Sequence, residues 1–433
     1  MPENRPDADA AAMRLAGGTP LTAAVVVADP RAWLALDEVA RVVPYHLDGM
    51  ARWEQAAQLP ADLSLLDEPR LALALCHRDG RTREAALTTA ARYPDLLPLV
   101  VVRCADWVAP VRERARTVLR EVLDPGAALT LAPLILLLGR RDQGAFATEL
   151  LAEVLRGAPG ERLTCLFGHA DRTVRRFAYR LAVEQRLLSP GRLARTAAHD
   201  DDVVVQNLCA DGALAALAAD ADADADDVLR ALLTARNPGV RSAGVTALRR
   251  TGRAERAVEF LADRAGTVRA CARYVVRQGG GDPLSWYREW CADPGDPTLP
   301  PGAAVGLAEC GERGDAEMLW PLLGHPVAGV RARAVAGLRV LDAADVRRLV
   351  PLLDDPAPAV VREVTAVVLP SAALVPEEWL VERLGAGWPR HVRIAAFRLL
   401  AERGGAAGHR ALSALLGDPD EELRQRAARA ARR

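Results

Sequence analysis

A Val-Arg dipeptide returns along this chain at a nearly fixed interval, and a chain made of one short repeated unit cannot fold around a single central core. Val330-Arg331, Val361-Arg362, Val392-Arg393 and Leu423-Arg424 set their arginines 31 residues apart. Val111-Arg112, Val174-Arg175, Val240-Arg241 and Val268-Arg269 carry the same pair, and Thr82-Arg83 a weaker form of it. The steps from 83 to 112 and from 241 to 269 read as one period, and that from 112 to 175 as two. Less readable copies are expected near 144, 206 and 302, and Arg52 is in phase with Arg83, which gives about twelve or thirteen units.

The surroundings of each arginine repeat as well. Three residues after it stand Ala86, Ala115, Ala178, Gly244, Ala272, Ala334, Thr365, Ala396 and Ala427. All are small, so the helix that each arginine opens can approach a neighbour closely. Stretches such as VRARAVAGLRVL place apolar residues at i, i+3, i+4 and i+7, the spacing of one helical face. Leucine doublets, among them Leu232-Leu233, Leu322-Leu323, Leu352-Leu353 and Leu415-Leu416, end the preceding helix. Between the two lie Gly-His-Pro, Asp-Asp-Pro, Arg-Asn-Pro and Gly-Asp-Pro turns, where proline stops one helix and a polar side chain can cap the next. The unit is helix, short polar turn, helix, second turn. One such pair cannot bury its apolar face; a stack of pairs can.

Composition agrees with thin, closely packed elements. Of 433 residues 50% are hydrophobic but only 4% aromatic. No lysine occurs, so all 56 basic side chains are arginines, which removes a Schiff-base lysine, a phosphate-loop lysine and a Ser-Lys pair from the available chemistry. A net charge of -1 lacks the basicity of a general nucleic-acid binder. Cys76, Cys104, Cys165, Cys209, Cys271, Cys291 and Cys310 are scattered and form no C-x-x-C pair, which fits free thiols in a reducing compartment. No apolar run reaches about 18 residues. The acidic, Ala/Pro-rich N-terminus does not read as a secretion signal. A cytoplasmic protein, monomeric on its own and without a membrane partner, is expected.

The doublet-turn-Val-Arg-x-x-Ala pattern resembles the HEAT-repeat superfamily, and most closely the short HEAT-like repeats of the phycobilisome-lyase (PBS lyase) type, over about residues 45 to 433. The resemblance implies an all-α, right-handed α-solenoid. It also implies a ladder in which a turn aspartate meets a helix-opening arginine of a neighbouring repeat; Asp106 with Arg112 and Asp418 with Arg424 are the candidates. Residues 1–15 are expected to form a disordered tail, 16–66 a helical cap with an atypical repeat, and 67–433 the solenoid proper, with an inserted acidic loop at 218–227. The terminal RQRAARAARR suits a capping helix with an exposed basic face.

Several residues could carry chemistry or binding. His77, His169 and His325 each stand six residues before a repeat arginine, a phase that points to a turn role, and they lack the H-x-x-x-H or His-Glu spacing of metal sites. Asp220, Asp222, Asp224, Asp226 and Asp227 lack the central glycine and final glutamate of a calcium loop. No catalytic residue, metal or cofactor is expected. Trp286 and Trp290 lie one helical turn apart, either packed on the irregular repeat near 302 or exposed as a platform for a protein partner or bases. Trp107 and Trp388 sit in turns, where burial is harder, and are candidate edge contacts.

The expected function is a non-catalytic scaffold or adaptor that binds another protein along the face of its second helices. Arg114, Arg176, Arg333 and Glu363 are the candidate groove residues there, the arginines suiting acidic or phosphorylated surfaces. The alternative is a nucleic-acid-binding or DNA-repair protein resembling HEAT-like DNA glycosylases, whose catalytic aspartate and tryptophans have no matching residues in this sequence.

Overall fold

The chain was described as a computed structural model, which covers residues 5–41, 52–57, 59, 60, 62–219 and 225–431. Among these residues there are helices and turns and no strand, and no helix is long and apolar enough to cross a membrane. They form two compact units, one comprising Met1–Thr196 and Asp200–Ala213, the other Ala197–His199 and Leu214–Arg433.

The principal helices of the first unit are α1 (Arg5–Ala16), α2 (Pro30–Arg41), α3 (Glu68–Leu75), α4 (Gly80–Ala90), α5 (Leu97–Arg103), α6 (Ala109–Val122), α7 (Pro125–Leu138), α8 (Ala145–Arg156), α9 (Arg172–Glu184), α10 (Pro190–His199) and α11 (Val203–Ala219). Residues 5–15, expected to be disordered, are instead most of α1. Ala8, Ala12 and Leu15 share one face of it and are buried against neighbouring helices, so the tail carries a narrow apolar stripe beneath its acidic composition.

The second unit contains α12 (Ala225–Leu233), α13 (Pro238–Arg250), α14 (Gly266–Gln278), α15 (Pro283–Trp290), α16 (Pro301–Cys310), α17 (Ala328–Val340), α18 (Pro358–Val368), α19 (Glu377–Glu382), α20 (Arg390–Arg403), α21 (Gly405–Leu416) and α22 (Glu421–Ala430). Here α13 packs on α14, and α16, α17, α18 and α20 stack in order. Residues 220–224 of the acidic insertion expected at 218–227 lie outside the described residues. Its last two aspartates open α12, and Asp226 pairs with Arg253 at 3.0 Å.

Both units follow the rule anticipated from the repeat. Val111, Val174, Val240, Val268 and Val330 are fully buried, as are Ala86, Ala115, Ala178, Ala272, Ala334 and Ala427. These alanines let a second helix lie close against its first helix; at Gly244 an added Cβ would already stand 3.0 Å from the Leu232 side chain. The result is an all-α solenoid of HEAT-like helical pairs.

The arginines tie one pair to the next, with a pairing other than that read from the sequence. Arg331 Nη1 donates to the carbonyls of His325 and Pro326 in its own turn, at 2.8 and 3.1 Å, while Nε and Nη2 reach Asp355 of the following repeat, both at 2.8 Å. Arg83 with Asp106 and Arg241 with Asp263 repeat this geometry. Asp106 therefore meets Arg83 and not Arg112, and Asp418 meets Arg393 and not Arg424. Arg112 and Arg424 give Nη1 to the backbone carbonyls of those same aspartates. The reason is reach: six residues upstream, the carbonyl lies under the guanidinium, and the carboxylate points away to the preceding repeat.

Candidate functional site

The three histidines are turn residues. Nδ1 of His77, His169 and His325 accepts the N–H two residues on, at 3.0 Å in each case, as Asp106 and Asp355 do with a carboxylate oxygen. Burial pushes the thiols of Cys104, Cys209 and Cys291 up to about 12, so they are protonated at neutral pH. Among the described residues no group of three or more His, Cys, Asp or Glu side chains could hold a metal ion.

The tryptophans separate on inspection. Trp286 is exposed and Trp290 half-buried, their ring centroids 6.0 Å apart. The residue that packs on the irregular repeat is Tyr287 between them. It is buried, donates its hydroxyl to the Leu261 carbonyl at 2.6 Å, and lies where any Cβ on Gly306 would be, 2.3 Å away. Trp107 is 67% exposed, yet the guanidiniums of Arg41 and Arg83 lie over its ring at 4.5 and 4.9 Å. Trp388 is half-buried against Arg383 at 4.5 Å, and that arginine also stacks on Trp379 and binds Asp354.

The candidate groove residues also part company. Arg114 is exposed on α6. Arg176 on α9 is engaged: Nε and Nη2 hold Asp202 at 2.7 and 3.0 Å, doing the inter-repeat half of the ladder while Arg175 holds the turn carbonyl of His169. Arg333 and Glu363 come together in the second unit. They line a groove of about 320 Å³ with Ala262, Arg264, Pro301, Gly302, Gly329, Ala332, Ala359 and Arg362.

Two of those residues were missed for physical reasons. Arg264 comes from the turn before α14, outside the second helices that carry the expected groove residues. Arg362 falls by spacing among the periodic Val-Arg arginines. In this repeat Val360 and Val361 are the buried pair, and the turn bonds of Ala357 and Val360 match those of Val327 and Val330 one repeat earlier. Val361 thus fills the ladder position, and Arg362, one residue on, projects with 69% of its side chain exposed.

The floor of the groove is the first turns of three successive second helices. Pro300, Val327 and Ala357 precede α16, α17 and α18 and none supplies a side-chain cap, in contrast to Asp79, Asp171 and Asn237 before α4, α9 and α13. No acceptor among the described residues meets the N–H of Gly302, Gly329 or Ala359, the second residue of each helix. Gly302 lies so close to the preceding repeat that a Cβ would stand 2.0 Å from the Ala262 carbonyl oxygen. The lining adds Arg333, Arg362 and Glu363, and Arg264, whose Nη2 donates to the Arg236 carbonyl at 3.3 Å. The nearest approach of Arg362 to Glu363 is 4.0 Å, too long for a hydrogen bond.

The class defined by this fold is that of helical-repeat solenoids. No protein-family model matches the chain, and no curated protein does. Among solved structures it is similar to Kap121p at 13% identity and a TM-score of 0.27, over 98% of this chain and 53% of that one, so the chain spans about half of Kap121p. A structure of tubulin recruitment and assembly by microtubule polymerases with TOG domain arrays is similar at 12% identity and a TM-score of 0.24, covering 93% of this chain and 96% of that one. The UNC-45 chaperone, which binds and folds muscle myosin, is similar at 13% identity and a TM-score of 0.23, covering 94% and 63%. At these scores the likenesses assign neither family nor partner.

Proposed function

We propose that the protein is an interaction scaffold or adaptor whose second unit receives another protein in the groove across α16, α17 and α18. The observation that carries this reading is the groove itself. Its floor is apolar and small, its rim carries Arg264, Arg333 and Arg362, and the ladder that occupies arginines elsewhere leaves Arg333 and Arg362 out. Within the helical-repeat class we place the chain with the short HEAT-like repeats of the phycobilisome-lyase type, on its period of 31 residues and its Val-Arg-x-x-Ala motif. Its seven cysteines, none in a disulfide, favour a reducing, cytoplasmic setting.

The test is affinity capture from cells with the wild-type chain, the double variant R333E/R362E and the variant R114E, each checked for helicity by circular dichroism. A partner identified with the wild type and with R114E, but lost with R333E/R362E, is the expected result. Equal recovery by all three would reject the groove as the binding surface.

A further inference from the structure

The groove differs from the rest of the surface in three respects that together define its occupant. First, its floor offers no side chain longer than a methyl group at Ala262, Gly302, Gly329, Ala332 or Ala359, apart from the ring of Pro301, so a main chain can lie close against the helices. Second, Arg264, Arg333 and Arg362 line it against the single carboxylate of Glu363, Arg264 while giving Nη2 to the Arg236 carbonyl at 3.3 Å, and the amide N–H groups at its floor add partial positive charge. Third, its lining contains no aromatic ring on which a base could stack.

Resting on the interaction reading above, we infer that this groove binds an extended acidic segment of a partner protein, with carboxylates at every third residue. The spacing comes from the fold. Packed helices lie about 8–10 Å apart, and an extended chain rises about 3.3 Å per residue, so each step from α16 to α17 to α18 is matched by about three residues. Arg333 on α17 and Arg362 on α18 stand on successive helices of that stack, Arg362 one position before Glu363, the residue that matches Arg333. Each is placed to take a carboxylate, for which the planar guanidinium offers two parallel donors. Glu363 restrains the affinity and argues against a polyphosphate backbone, whose unbroken negative charge would run over it. A partner protein is therefore favoured over a nucleic acid.

The probe is a fluorescent peptide of about nine residues with glutamate at every third position, titrated by anisotropy against the full chain. Its glutamine counterpart and a single-stranded oligonucleotide of similar length serve as comparisons. The glutamate peptide is expected to bind at least about tenfold more tightly than the glutamine peptide, and R333E/R362E to lose at least about tenfold while R114E does not. Should R333E/R362E lose helicity, the single variant E363Q decides: removing the one carboxylate must tighten the glutamate peptide and leave the glutamine peptide unchanged. Equal binding of the two peptides, tighter binding of the oligonucleotide, indifference to E363Q, or no glutamate-dependent binding below about 1 mM each overturns the inference. A cellular partner that depends on the groove but enters it through a segment without acidic residues would overturn it too, while leaving the scaffold reading intact. The absence of any groove-dependent partner would remove that reading instead.

Discussion

Arg83 in the first unit and Arg331 in the second hold the same place in their repeats and make the same bonds, yet they sit in different electrostatic surroundings. Each gives Nη1 to its own turn carbonyl at 2.8 Å and grips the next repeat's aspartate with Nε and Nη2. Around Arg331 and Asp355 there is partial access to water. Arg83 and Asp106 have none, with 0% of either side chain exposed. The first unit crowds further charges into the same space: Arg103 donates to Asp106 at 2.9 Å and contacts Asp37, and Arg41 holds Asp37. Nε of Arg103 has no hydrogen-bond partner among the described residues. The repeat motif therefore fixes the geometry of the ladder, and its surroundings set what the ladder is worth.

The largest expected effect follows from that crowding. In D106A, Arg83 and Arg103 lose their shared carboxylate in a site without water, at a cost of about 3–5 kcal/mol, because an unpaired buried charge is far more expensive than a lost pair. D355A removes the equivalent group beside solvent and should cost about 1–2 kcal/mol. Urea denaturation of the two variants compares them directly. Equal losses would break the distinction between the units.

The second prediction concerns pH. Burial pushes the Asp37 carboxyl up from 3.8 to about 6, against the pull of Arg41. Because the folded state holds this proton more tightly than the unfolded one, stability falls as pH rises from about 4 to 6, by up to about 1.4 kcal/mol per pH unit, and is level above. The ladder carboxyls of the second unit behave oppositely. Burial alone would raise Asp355, but hydrogen bonds from Arg331 and the Ala357 N–H outweigh it and hold the group below its usual value. The Arg393 guanidinium does the same for Asp418. Their stabilisation is present above about pH 4 and is lost as pH falls through their lowered values. Urea midpoints between pH 4 and 6 should therefore lose a downward slope in D37N relative to the wild type. An unchanged slope would assign the effect elsewhere.

Much of this organisation was legible in the sequence because the period is written in buried residues. The phase predicted at 206 falls on Gln206, whose Nε2 donates to the carbonyl of Asp200 six residues upstream, as a repeat arginine would. At 144 and 302 the phase misses: Gly144 precedes α8 and Gly302 is only the second residue of α16, so the places matching a repeat arginine are Thr148 and Ala304. What could not be read was any fact depending on a single-residue shift or on partners distant in sequence. Spacing alone set Arg362 among the ladder arginines, since one residue gained and lost between 331 and 393 leaves the dipeptide count intact. The stacking of Arg41 and Arg83 on Trp107 joins two helices and the turn before a third, and no local pattern announces it. Arg333 and Glu363, at an outward phase in the sequence, line the groove, whereas Arg176, at a similar phase, has its carboxylate supplied from 26 residues away.

The smallest effect offers the sharpest discrimination, because it sets two identical-looking dipeptides against each other within one unit. If Arg331 is a ladder residue, R331A removes its bonds to Asp355 and to the turn carbonyls and should cost about 1–3 kcal/mol, part of it from leaving Asp355 without its cation. If Arg362 stands outside the ladder, R362A should change stability by less than about 0.5 kcal/mol, as for any exposed side chain without a hydrogen bond. The same substitution should nevertheless weaken binding in the groove. A stable R362A protein with impaired binding, beside a destabilised R331A protein, would show that one slip in register converts a structural arginine into a recognition residue. A loss of stability in R362A equal to that in R331A would return Arg362 to the ladder and remove the groove's second cation from consideration.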